Sequence, residues 1–248
     1  MIVSVSRESV AGERRVALAP ESVRRLTANK LSIMVENGAG QAAGFSDDAY
    51  SRAGARLESS AERLLEQTDL LVKIQPPSVL EVEQLRRGAT LVCLLYPRAH
   101  AEAAQRLAAR RVTTVALENL PRTTVAQSMD VLSSQSTVAG YRAVIVAANV
   151  IAKFFPMLMT PAGTFAPARV LVLGAGVAGL QAIATARRLG AVVEAFDVRR
   201  AVRGQVESLG AKYIEPWLEQ AAETAEGYAS QLTAASLERA RNAVHLPL

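Results

Sequence analysis

Residues 169–197 read RVLVLGAGVAGLQAIATARRLGAVVEAFD, and the fold turns on how they are understood. RVLVL and VVEAF are short apolar runs of strand length, rich in β-branched residues. Between them Gly174, Gly176 and Gly179 fall in G-x-G-x-x-G spacing, and a helical LQAIATARRLG follows. Asp197 stands at the end of the second run, 23 residues after Gly174 (197 − 174). Bare glycine spacing is weak, but strand, glycine turn, helix, strand and terminal acid together form the dinucleotide-binding fingerprint. Gly174 permits the tight turn, Gly176 lets backbone approach a pyrophosphate, and Gly179 lets helix pack on strand. The helix start adds free N–H groups and the positive end of a dipole. Asp197 is suited to accept hydrogen bonds from the adenosine ribose and to repel a 2′-phosphate, which favours NAD over NADP. Arg199 and Arg200 argue the other way, since arginines there can hold that phosphate. The bland alternative is a glycine turn in a sheet that binds nothing.

Upstream, short apolar runs at 2–5, 31–36, 69–74, 90–95 and 112–117 alternate with helix signals. Pro20 sits at a first-turn position, and Ser46 and Ser78 precede helical patterns. Such alternation predicts a mostly parallel sheet covered on both faces. A long apolar helix is expected at about 135–155, and the Pro- and Gly-bearing segment 156–168 reads as a domain boundary. The expectation is α/β: two domains with parallel sheets, an N-terminal flavodoxin-like domain over 1–160 and a partial Rossmann domain over 161–248. After a strand near 212–215, about 33 residues remain without a strand-like run. Strand 169–173 is therefore expected to lie at an open sheet edge. The Ala-rich 217–248 reads as helix and loop.

Bulk properties narrow the function. The chain has 248 residues, half of them hydrophobic, and a net charge of +5. Its basic residues are scattered as pairs, with no block that suggests a nucleic-acid partner. The lone Cys93 lies in an apolar run, which excludes a disulfide within the chain and fits a reducing compartment. The most apolar helical stretch carries Arg142, Asn149 and Lys153 and falls short of a membrane span. No signal peptide is read at the N-terminus. No metal-ligand pattern is present.

Residues 122–134, RTTVAQSMDVLSS, cluster polar groups between two apolar stretches without Gly or Pro. Arg122, Gln127, Asp130 and Ser133 suit positioning of a ligand better than proton transfer. His100 and His245 read as surface residues, and Lys73 with Arg15 reads either as a carboxylate pocket or as ordinary strand-end and loop cations. A hydride passed directly between two nicotinamides needs orientation and no protein acid or base.

GERRVALAPESVRRL, VENGAGQAAGFSDDAYSRAGA, DLLVKIQPP, RTTVAQSMDVLSSQSTVAGYRAV and VLVLGAGVAGLQAIATARRLGA resemble the NAD(H)-binding domain of proton-translocating NAD(P) transhydrogenase, alpha subunit. Alanine dehydrogenase is its relative. The resemblance covers about residues 1–232. In alanine dehydrogenases the positions of Arg15 and Lys73 bind the keto acid, and a catalytic histidine aligns with Tyr96. The Arg122, Gln127, Asp130 pattern points instead to transhydrogenase. The resemblance implies NAD(H) in the cleft between two domains, with Arg122 near the pyrophosphate. Gln127 would orient the nicotinamide side, Asp130 and Ser133 would fix the nicotinamide, and Tyr141 would support their loop. Gln127, Asp130 and Arg122 are thus the implied catalytic set. Gly174, Gly176, Val177, Gly179, Asp197, Val198 and Arg199 complete the cofactor set, with Gly227 and Tyr228 in a loop that closes over it. Hydride would pass reversibly from NADH to NADP+ held by a partner, coupled to proton movement through membrane subunits. A homodimer in the cytoplasm, peripheral to the membrane through partners, is also implied. The family's match fades after about 232, so the chain reads as C-terminally truncated. Two alternatives stay open: a non-catalytic remnant holding only the adenosine half of NAD, and an alanine dehydrogenase.

Overall fold

The first strand, β1 (Ile2–Val5), is buried on both faces: Val3 and Val5 are covered on one side and Ser4 on the other. Such burial belongs to a central strand of a parallel sheet. In the computed structural model, which describes residues 1–121 and 123–215, β1 lies between β2 (Ser32–Glu36) and β4 (Leu70–Val72), parallel to both. β3 (Arg56–Glu58), β5 (Thr90–Cys93) and β6 (Thr113–Ala116) complete a six-stranded parallel sheet in the order β3-β2-β1-β4-β5-β6. Without the three-residue edge strand β3, the remaining five have the flavodoxin order; with it, the order is that of a doubly wound dinucleotide fold. β3 escapes a sequence reading because Arg56-Leu57-Glu58 offers no apolar run.

The connecting helices begin where local chemistry starts them. α1 (Pro20–Ala28) has proline in its first turn. α2 (Asp47–Arg52) and α3 (Ala61–Gln67) are capped by Ser46 and Ser60, whose hydroxyls accept from Ala49 and Arg63 N–H. α4 (Val79–Gln84) carries a reciprocal capping box between Ser78 and Glu81. α5 (Ala101–Ala109) starts after His100, whose side chain makes no cap. Two apolar clusters flank the sheet, one around Leu64, Leu71 and Leu91, the other around Val5, Val23 and Tyr50. Cys93 lies in the first, and burial pushes its thiol up to about 12.

Contacts divide the chain into Met1–Val131 and Leu132–Leu248. The second unit takes nearly all of α6 (Val131–Val150), which begins and ends earlier than the apolar pattern suggested. The segment 156–168 is not featureless: it contains an antiparallel hairpin, β7 (Leu158–Thr160) with β8 (Gly163–Phe165). Then β9 (Arg169–Leu173), α7 (Val177–Arg188), β10 (Val192–Phe196), α8 (Arg203–Ser208) and β11 (Lys212–Ile214) form a parallel sheet in the order β11-β10-β9. Among the described residues β9 is an edge strand, as its sequence context suggested. Ile183, Val193, Ala195, Val206 and Tyr213 center the core, joined by Val144 from α6. Among the described residues no helix is long and apolar enough to cross a membrane.

Candidate functional site

The glycine turn between β9 and α7 has a separate geometry at each glycine. Gly174 has φ +96°, a left-handed value open to glycine, and its N–H donates to Phe196 O at 2.7 Å. Gly176 caps α7 in extended conformation, and a Cβ there would meet only Arg199 Nη2, at 3.9 Å. A Cβ on Gly179 would instead strike the Gly174 carbonyl oxygen. Turn, open approach and close packing are thus divided among the three glycines as the fingerprint requires. The first-turn N–H groups of α7, Val177 included, have no acceptor within the helix and face outward from its positive end. That surround fits a pyrophosphate.

Asp197, just beyond β10, is 5% exposed, and its carboxylate is fully engaged. Oδ2 accepts from Ala175 N (2.7 Å) and Arg199 Nη2 (3.0 Å). Oδ1 accepts from Arg199 N (2.8 Å) and Arg199 Nε (3.0 Å). Burial works against its charge, but the Arg199 side chain and the two backbone donors outweigh it and hold the carboxyl below its ordinary range. Tyr213, on β11, donates its hydroxyl to Asp197 O (2.8 Å) and Arg199 O (3.2 Å), bracing the segment that includes Val198. Ala175 and Tyr213 carry no sequence signal for this task. A Cβ on Gly140 of α6 would strike the carbonyl of Ala178 in the first turn of α7, so α6 approaches the fingerprint helix backbone to backbone. A glycine in the middle of a long apolar helix was the available hint.

In the first unit the polar stretch after β6 is a series of tight turns. Ala126 N–H donates to Thr123 O (3.0 Å), Met129 N–H to Ala126 O (2.9 Å), and Gln127–Met129 form a 3-10 turn ending at Asp130. Ala126 is buried, while Gln127 is exposed and Asp130 half-buried. Ser133 and Tyr141 fall on α6, in the second unit; Tyr141 is exposed and Ser133 half-buried. Arg122, Gly227 and Tyr228 lie outside the described residues.

A second polar cluster occupies the point where the six-stranded order reverses, between the ends of β1 and β4, a common place for ligands in open α/β sheets. Lys73, 1% exposed, donates to Glu81 Oε1 (2.7 Å), Arg7 O (3.1 Å) and Ser6 Oγ (3.2 Å), with Glu8 Oε2 at 3.7 Å. Arg15 pairs with Glu13 at 2.6 Å, which holds the Glu13 carboxyl down at about 2. Both cations read as a carboxylate pocket are therefore already matched to internal carboxylates. Tyr96 has φ +47°, and Glu118 accepts from its N–H (2.6 Å) and from Leu95 N–H (3.0 Å). Glu8, Glu81 and Glu118 do not stand out in the sequence, although the Ser78-x-x-Glu81 spacing is a capping signal.

Residues 4–139 match the family description Alanine dehydrogenase/PNT, N-terminal domain, and residues 143–239 match its C-terminal domain. The chain is 48% identical over 239 residues to an NAD(P) transhydrogenase alpha-subunit chain of Rhodospirillum rubrum, covering 94% of this chain and 62% of that one. It is 35% identical over 200 residues to an alanine dehydrogenase of Halomonas elongata, covering 79% of this chain and 53% of that one. A crystal structure of transhydrogenase from Sinorhizobium meliloti superposes with a TM-score of 0.84 at 47% identity, over 89% of this chain and 62% of that chain. The chain thus spans about three-fifths of the length of these transhydrogenase relatives.

Proposed function

The chain belongs to the alanine dehydrogenase/PNT family, and on that premise we propose that it is the NAD(H)-binding component of a proton-translocating transhydrogenase. The observation that carries this reading is the turn at Gly174, Gly176 and Gly179 beside Asp197, in a chain so similar to transhydrogenase alpha subunits. The first turn of α7 would receive the pyrophosphate, Asp197 would hold the adenosine ribose, and Val198 and Arg199 would complete that half of the nucleotide site. Gln127, Asp130 and Ser133, with Arg122, would orient the nicotinamide, and Gly227 and Tyr228 would close over it. Bound NADH supplies the hydride, and the chain's residues bind and orient it. NADP(H) and the proton path belong to partner subunits, through which the chain would lie at the cytoplasmic face of a membrane. A homodimer is part of the proposal, supported by exposed apolar residues along α6 and the segment that follows it, including Val138, Val150, Phe154 and Phe165.

Calorimetric titration with NADH, followed by hydride transfer to NADP+ on an added NADP(H)-binding partner, tests the reading. No saturable binding at millimolar NADH would remove it. A binding-only role is the alternative, and NADH binding without transfer to any partner would select it. The internal pairing of Lys73 and Arg15 argues against an alanine dehydrogenase. NADH oxidation by pyruvate and ammonia, with no partner present, would reverse that judgement.

A further inference from the structure

An ionised carboxylate offers about four lone-pair positions, and Asp197 has all four filled by protein donors. A ribose diol cannot add to that set; donors must leave first. Ala175 N–H is fixed by the glycine turn and Arg199 N–H by the strand end that Tyr213 braces. Only the Nε and Nη2 donors of the Arg199 side chain can depart. They also have somewhere to go. Nη2 lies 3.9 Å from where a Gly176 Cβ would sit, the side of the turn left open for phosphate.

Resting on the NAD(H) reading above, we infer that Arg199 is a specificity-determining counter-ion that occupies the ribose position in the unliganded chain. On binding it moves from the Asp197 carboxylate to the pyrophosphate of the incoming nucleotide. The exchange keeps both anions compensated: ribose hydroxyls replace the guanidinium on Asp197, and the guanidinium meets the phosphates. It also makes the two halves of the ligand interdependent. A nucleoside without phosphate must displace Arg199 and offers it nothing in return. A nucleotide with a pyrophosphate supplies the new partner.

The test compares wild-type chain with Arg199→Met by calorimetry, using adenosine and NADH as probes. Adenosine is neutral, so loss of a nearby positive charge does not itself change its affinity. Removing one charged hydrogen-bonded competitor is expected to tighten adenosine by about tenfold. The same variant should weaken NADH by about tenfold or more, since the phosphate contact is gone. Opposite signs are the signature. Unchanged or weaker adenosine binding by a variant that melts with the wild type overturns the exchange. So does tighter wild-type binding of 2′-AMP than of adenosine that vanishes in Arg199→Met, because Arg199 would then serve a 2′-phosphate. If the variant does not fold, a crystal structure of the wild-type chain with NADH decides. Arg199 Nε and Nη2 still on Asp197 beside bound ribose would refute the exchange; their transfer to phosphate oxygens would establish it. Absence of saturable NADH binding to the wild type would instead remove the NAD(H) reading itself.

Discussion

Gly140→Ala tests whether α6 is part of the nucleotide site's support. In a helix interior, alanine is favoured over glycine by about 1 kcal/mol, so an uncrowded position would gain stability. At Gly140 the new Cβ would lie 3.0 Å from Ala178 Cα and closer still to its carbonyl oxygen. The struck atoms are backbone, which no rotamer change can relieve. Overpacking costs about 1–3 kcal/mol, and the upper part of that range applies here. Subtracting the propensity gain leaves a net loss of about 1–2 kcal/mol. For a chain of this size that lowers the melting midpoint by about 2–8 °C. Gly204 of α8 is the control: it is exposed, a Cβ there meets nothing within 4 Å, and Gly204→Ala should be neutral or stabilising. Because Ala178 lies in the first turn of α7, Gly140→Ala should also weaken NADH about tenfold, roughly one charge-assisted hydrogen bond. Paired thermal unfolding and NADH titration measure both. A Gly140→Ala chain that melts with or above the wild type, and binds NADH equally well, would refute the backbone contact.

Two of the three fingerprint glycines should behave differently from each other. Gly176→Ala has space for its methyl and should keep the wild-type melting point while losing NADH affinity; Gly179→Ala, driven into the Gly174 carbonyl, should lose both. Glu81→Gln should destabilise the first unit by about 3–5 kcal/mol in urea unfolding at pH 7, because Lys73 is left buried without its nearest carboxylate. Burial opposes the Glu81 charge, but Lys73 and the Ser78 bonds prevail and hold its carboxyl below the ordinary 4.5. A depressed folded value stabilises above the unfolded one and is lost as pH falls through the folded one. The gap between wild type and Glu81→Gln should therefore narrow below pH 4.5, and a gap constant down to pH 2 would contradict it. Gln127→Ala and Asp130→Ala should each lower hydride transfer to a supplied NADP(H)-binding partner more than they lower NADH affinity; equal losses would end their positioning role.

The parallel α/β architecture and the fingerprint were legible because parallel strands, buried on both faces, write themselves as apolar runs, and because each glycine has a steric reason. What stayed hidden was made of side chains meeting across long sequence intervals. Lys73 reads alone as a strand-end cation, yet its partners Ser6, Arg7, Glu8 and Glu81 come from two other segments. Asp197 reads as an open ribose acceptor, yet Ala175 and Arg199 already fill it. The hairpin β7–β8 sits where Pro and Gly suggested only a connection, since such residues mark turns without saying what flanks them. β3 is too short and too polar to announce itself.

The position of Lys73 has a consequence for how the chain emerges from a ribosome. β1 is made first but lies inside the sheet, and its neighbour on one side, β4, is not made until residues 70–72. Glu8 precedes Lys73 by 65 residues (73 − 8). At about 5–20 residues per second, Glu8 stays without that cation for roughly 3–13 s of synthesis. During that interval β1, β2 and β3 can already align as one half of the sheet, with the polar end of β1 still in water. The ammonium is therefore buried only once strands arrive on the far side of β1, and its nearest carboxylate, Glu81, follows eight residues later (81 − 73). A ribosome-bound chain ending before residue 81 would hold the lysine but lack its nearest partner, so neutralisation of that lysine waits for α4.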